Sequence, residues 1–239
     1  MMGMEETTGL ERVYRFIVDF ITENTYAPFI SEIRDGAGLS SKSSVHENLM
    51  KKIIEYLETH QDLLNLGLLL LFKTGLRIGE LTSLNKEDIH EKQIHVSKTE
   101  TIYQDKDGKT HYDIKPFPKT EAGVRDVIIP DNCVWILDKI RRLCPFGQYV
   151  FMQDGERIRS YVFRTRLYSN CKKLGIVVKS PHKIRKTYGS KLYDSGEVPE
   201  SFMMEQMGHT DISCLKKHYY YNRMNNEEKR QILNQVKAL

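Results

Sequence analysis

Cysteine and proline are scarce in this chain: four and seven among 239 residues. Cys133, Cys144, Cys171 and Cys214 stand far apart, and no pair has CxxC spacing. That argues against a zinc site or a dithiol redox motif, and single scattered thiols suit a reducing, cytoplasmic compartment. Long apolar runs are also missing. The longest, Leu63–Phe72, is interrupted by Asn65 and Gly67 and is too short for a bilayer-spanning helix, so no membrane partner is expected. Met1–Glu6 is acidic and carries no apolar core of a secretory signal. There is no GxxxxGK[ST] loop and no acidic cluster suited to a pair of metal ions. No cofactor is expected.

What the chain does have is charge, unevenly spread. Residues 1–50 hold four basic and eight acidic residues, a net −4, which leaves +8 for residues 51–239. A basic domain attracts polyanions, so nucleic acid is a plausible partner for the larger part. Hydrophobic periodicity divides the chain in the same way. Val13, Phe16, Ile17, Phe20 and Ile21 line one face of a helix over Glu11–Ile21. Tyr26-Ala27-Pro28 breaks it. A short helix over Glu32–Gly36 and a third over about Lys42–Leu57, capped by Ser40 or Ser41, complete a helix-turn-helix layout. Beyond residue 51, buried helices come first. Strand character follows at Gln93–Val96, Tyr112–Phe117 and Val124–Ile129, with Asp107-Gly108 as a turn. Helical periodicity returns from Asn132. Helices, a small three-stranded sheet and helices again make an α+β fold, without the alternation of a dinucleotide-binding unit. The domains expected are 1–50 and 51–239.

Five landmarks could carry chemistry. Arg77 follows a glycine at a helix start, in Thr74-Gly75-Leu76-Arg77-Ile78-Gly79-Glu80-Leu81, where it could meet an anion or simply pair with Glu80. Lys119 lies in a turn between strands, in Lys119-Thr120-Glu121-Ala122-Gly123-Val124-Arg125, and alone reads equally as a solvated lysine. His182 and Arg185, spaced i, i+3 after Pro181, share a helix face. His209 follows Gly208 at a helix end, where it could be aimed into a cleft. Tyr219-Tyr220-Tyr221 closes the series; a tyrosine needs cationic neighbours or a base to act as a nucleophile, and such clusters also pack interfaces.

In order, these motifs resemble the catalytic domain of the tyrosine recombinases, the phage-integrase family. TGLRIGEL, KTEAGVR followed by IIP, HKIR and MGH are each close to the family's wording, and the resemblance covers about Lys51 to Arg223. It implies a catalytic set of Arg77, Lys119, His182, Arg185, His209 and Tyr219. Arg77 and Arg185 would clamp one DNA phosphate, His182 would accept or position the tyrosine proton, and Lys119 would protonate the departing 5′ oxygen. His209 would add a hydrogen bond, and Tyr219 would form a 3′-phosphotyrosyl bond. The family places the tyrosine nine or ten positions after the histidine, and ten after His209 is Tyr219; Tyr220, one register step further, is the second choice of nucleophile and Tyr221 the third. The same resemblance implies double-stranded DNA as partner, and a terminal helix within Asn226–Leu239 that docks into a neighbouring protomer. Residues 13–46, through Val13-Tyr14-Arg15-Phe16-Ile17, Ala27-Pro28-Phe29-Ile30-Ser31-Glu32-Ile33 and Gly38-Leu39-Ser40-Ser41-Lys42-Ser43-Ser44-Val45-His46, resemble the DNA-binding domain of LexA-type repressors. Two departures from the repressor pattern stand out, in that the segment is acidic and lacks a β-hairpin wing, and a departure from the integrase pattern is that it occupies the place of the family's usual core-binding domain. A non-catalytic DNA-binding regulator with a degenerate integrase body is the alternative.

Overall fold

The computed structural model describes residues 8–24, 26–40, 42–116, 121–176 and 180–209. Lys119, Tyr219, Tyr220, Tyr221 and the segment Asn226–Leu239 therefore lie outside the described residues. Among the described residues, no helix is long and apolar enough to cross a membrane.

Three helices come first: α1 (Gly9–Asn24), α2 (Ile30–Gly36) and α3 (Lys42–Thr59). Thr8 and Glu11 start α1 reciprocally. The Thr8 amide donates to Glu11 Oε2 at 2.7 Å, and the Glu11 amide donates to Thr8 Oγ1 at 3.2 Å. The apolar stripe of α1 then faces inward, with Val13 and Ile17 buried. The third helix extends two residues past its expected end and runs unbroken through residue 50.

The centre of the molecule is α4 (Leu63–Thr74), where Leu66 and Leu68–Leu71 are fully buried. Asp62 caps it by accepting from the Asn65 amide at 2.9 Å. A helix apolar on all sides must be enclosed. α4 is, by α3, α6 (Val134–Leu143), α7 (Ser160–Lys173) and α8 (Pro181–Ser195). Each leucine removed from water here contributes about 1.5–3 kcal/mol. One continuous core joins Val13, Ile17 and Ile33 of the first helices to Ile140, Phe163 and Ile184 of the later ones.

The α+β class expected from the sequence is what the structure has: mostly helical, with small sheets. The strands depart from the expected single three-stranded sheet. Among the described residues they form two-stranded antiparallel ladders: β1 (Gln93–Val96) with β4 (Arg125–Ile128), β2 (Thr99–Gln104) with β3 (Thr110–Lys115), and a short β5 (Met152–Gln153) with β6 (Glu156–Arg157). Sequence reading missed β2 because only Glu100 within it is buried, so the strand has no apolar alternation. The Asp107-Gly108 turn does close the β2–β3 hairpin, with Asp105 Oδ1 accepting from the Asp107 and Lys109 amides. The short helix α5 (Ile78–Ser83) packs on β2, and α9 (Glu200–Met207) packs on β4 and α8.

Candidate active site

The site is built where three helix ends meet. α4 ends at Gly75, whose left-handed φ of 68° turns the chain sharply and sets Arg77 as the residue preceding α5. Arg185 lies one turn into α8, which Ser180 caps by accepting from the Lys183 amide at 3.3 Å and which Pro181 opens. The third end is that of α9, closed by Gly208 at φ 60°. A side chain at 208 would be doubly disfavoured: the conformation is left-handed, and a Cβ would lie 2.9 Å from Arg125 Nη1 and 3.0 Å from the Ala122 carbonyl oxygen.

Arg77 and Arg185 converge on that last turn. Arg77 Nη2 donates to the Gly208 carbonyl at 3.2 Å. Arg185 donates through Nη2 to the adjacent Met207 carbonyl, and through Nη1 to the Gly75 carbonyl at 2.7 Å. Two guanidiniums so held resist closing on one another, because each is fixed to backbone. They differ in exposure. Arg185 is 3% exposed, whereas 43% of the Arg77 side chain faces solvent.

Glu80 balances the local positive charge. It is 1% exposed and takes Arg77 Nη1 at 2.6 Å and the Arg77 amide at 2.8 Å. It also takes Arg125 in a bidentate pair, Nη1 at 3.1 Å and Nη2 at 2.9 Å. Burial pushes the Glu80 carboxyl up. The charge and hydrogen bonds of Arg125, then the charges of Arg77 and Arg185, reverse this and hold it down at about 2. Arg125 in turn donates from Nε to the Gln206 carbonyl at 3.1 Å. The Gln206 amide completes the joint by behaving as a further strand edge on β4. Its Oε1 accepts from the Ile128 amide, and its Nε2 donates to the Ile128 carbonyl, both at 3.0 Å.

Four of the six expected site residues are thus placed. Arg77, Arg185 and His209 meet at the end of α9, where the His209 amide donates to the Met204 carbonyl at 3.0 Å. His182 stands exposed on the first turn of α8, one turn before Arg185. Lys119 and Tyr219 are outside the described residues. Sequence reasoning missed Glu80 as a shared counter-ion, and it missed Arg125 and Gln206 entirely. A signal was there for Arg125: it alternates with Val127 on the inner face of β4, and a charge on an inner face requires a partner. The pairing of Arg77 with Glu80, weighed as the ordinary alternative, is present as well. It fixes the guanidinium from one side only.

The model of the phage integrase family matches residues 43–226, and that of the LexA DNA binding domain matches residues 7–53. A tyrosine recombinase XerC-like protein of Caldanaerobacter subterraneus subsp. tengcongensis is 33% identical over 186 residues, covering 69% of this chain and 46% of that protein. Tyrosine recombinase XerD of Listeria monocytogenes serovar 1/2a is 30% identical over 147 residues, covering 60% and 45%. The chain therefore spans about half the length of the curated relatives it matches. Among solved structures, the Tn1549 transposon integrase in complex with transposon right end DNA superposes with a TM-score of 0.61 at 14% identity, over 95% of this chain and 85% of that one. The XerA recombinase gives 0.58 at 19%, over 97% and 84%. These two likenesses concern the fold. With more than three quarters of its residues inside the family model, and its two arginines gathered on one helix end, the chain belongs to the phage integrase family.

Proposed function

We propose that this chain cleaves and rejoins DNA strands at specific sites through a 3′-phosphotyrosyl intermediate. One observation carries the reading: Arg77 and Arg185, 108 positions apart in sequence, are anchored to consecutive carbonyls beside the Gly208-His209 turn. Two forked cations in that arrangement suit the non-bridging oxygens of a phosphodiester, whose negative charge grows as phosphorus becomes five-coordinate.

In the proposed reaction the Tyr219 oxygen attacks phosphorus and gives up its proton to His182. The bond from phosphorus to the 5′ oxygen breaks, and Lys119 protonates the leaving oxygen. His209 donates a hydrogen bond to the phosphate. The covalent bond retains the phosphodiester's energy, so a second 5′-hydroxyl can reverse the step without a nucleotide cofactor. Tyr220 is the alternative nucleophile. A duplex nicked near the cleavage site traps the adduct by losing the short leaving strand. The wild-type chain should become covalently joined to it, and Tyr219→Phe should not. If the wild type only shifts DNA reversibly, the rival reading as a DNA-binding regulator takes its place.

The relatives' names describe recombinases, and neighbours such as the Tn1549 integrase were solved with DNA. Both support double-stranded DNA as the partner here. Assembly on DNA through Asn226–Leu239 belongs to the same proposal, since Ile232, Val236 and Leu239 are spaced for one helix face. Removing residues 226–239 should then reduce the assembled species on DNA in size-exclusion chromatography, and an unchanged oligomer would refute the idea.

A further inference from the structure

The two family models overlap on residues 43–53, and those residues lie within one unbroken helix, α3. We infer that the N-terminal helices act as a fixed brace on the turn that ends α7, ahead of α8, and not as a second DNA reader. This rests on the proposed function only in naming α8, which carries His182 and Arg185, as the catalytic helix.

Three contacts make the brace. Lys52 of α3 donates from Nζ to the Leu174 carbonyl at 2.9 Å, just past the end of α7, while its ammonium sits 3.9 Å from the centre of the Tyr14 ring of α1. One side chain so ties three elements together. Its half-buried position pushes the amine down to about 8, the cost of seating a cation there. Next, Ile17 and Ile21 of α1 lie against Gly175. A Cβ at that glycine would be 2.8 Å from Ile17 Cγ2 and 3.2 Å from Ile21 Cδ1, so α1 is in close contact with this turn. Third, Lys173 Nζ donates to the Tyr56 hydroxyl of α3 at 3.1 Å. The brace thus holds residues 173–175, and the cap of α8 is Ser180, five positions on.

The outer face of α3 is poorly suited to DNA. A helix-turn-helix reads bases from the exposed face of its second helix and needs cations for the flanking phosphates. Among the side chains described on α3, the exposed ones are His46, Glu47, Lys51, Glu55 and Thr59, and Lys51 pairs with Glu47 at 3.2 Å. Together with the net charge of −4 over residues 1–50, this face repels a polyanion.

The chain can be tested with three variants and two readouts that need no strand cleavage. Amide hydrogen exchange of Lys52→Met should be faster than wild type by about tenfold or more in residues 180–190, with α6 unchanged, and Lys52→Arg should restore protection. His46→Ala combined with Lys51→Ala should leave affinity for a random-sequence DNA duplex within about twofold. Unchanged exchange at 180–190 in Lys52→Met would overturn the inference. So would a tenfold loss of DNA affinity in the double variant. Because neither measurement uses the covalent adduct, failure of the cleavage reading shows separately.

Discussion

Two buried carboxylates sit about twenty residues apart in the chain, and their surroundings differ in one respect. Glu80 holds Arg125 and Arg77; Glu100 holds Arg157. Glu100 is wholly enclosed, accepting also from the Ser160 amide at 3.1 Å, and it joins β2 to the start of α7. Its arginine is spent inward, on the Thr82 carbonyl at 3.2 Å and the Tyr112 carbonyl at 3.1 Å, with 11% of the side chain exposed. Glu80 has one arginine of that kind, Arg125, and a second that keeps almost half its side chain in solvent. The same chemistry serves as a rivet in one place and as the back of the candidate site in the other. What separates them is the additional, solvent-facing cation.

Substitution should sharpen this contrast. Glu80→Gln should destabilise the fold by about 3–5 kcal/mol in urea titration, because Arg125 is left buried without its counter-charge. It should also slow adduct formation. Glu100→Gln should approach the same loss of stability yet leave the adduct rate at saturating DNA within about threefold; equal slowing by both would erase the distinction. Acid should expose the Glu80 contribution as well. Glu80 is held at about 2 against an ordinary 4.5, so the folded state binds fewer protons than the unfolded one between those values. The stability it supplies is complete above about 4.5 and is lost as pH falls toward 2, and Glu80→Gln should lack that portion of the acid transition. Arg77→Ala should move the other way. It should lower the adduct rate by about 10²–10³, as for loss of one charge-stabilising donor, with stability changed by only about 1 kcal/mol. A large loss of stability in that variant would make Arg77 a second rivet.

Much of the fold could be read from periodicity. The face of α1 and the length of α3 follow from where Val13, Ile17, Val45 and Leu49 recur, since a helix must bury such a stripe. The β2–β3 hairpin is different: its residues are mostly exposed, so burial leaves no imprint on Thr99–Gln104, and cross-strand pairs such as Tyr103 stacked on His111 at 5.2 Å stand in for it. The site divides similarly. Arg77, Arg185 and His209 were marked by their local wording. Arg125 and Gln206 act across 45 and 78 residues of sequence, on Glu80 and Ile128, and a pairing of that range leaves no local spacing to recognise. Gln206 does share a helix face with Met203 and Met207, and an amide among methionines on an inner face was the available clue.

The anchoring of both guanidiniums to Met207 and Gly208 has a mechanical corollary. The two carbonyls are linked through the Cα of Gly208, so their relative direction is set by the left-handed backbone of that one residue, φ 60° and ψ 54°. The direction in which the two positive groups are drawn together thus hangs on the conformation of a single glycine, and a residue that pulled position 208 out of the left-handed region would turn the two anchors apart.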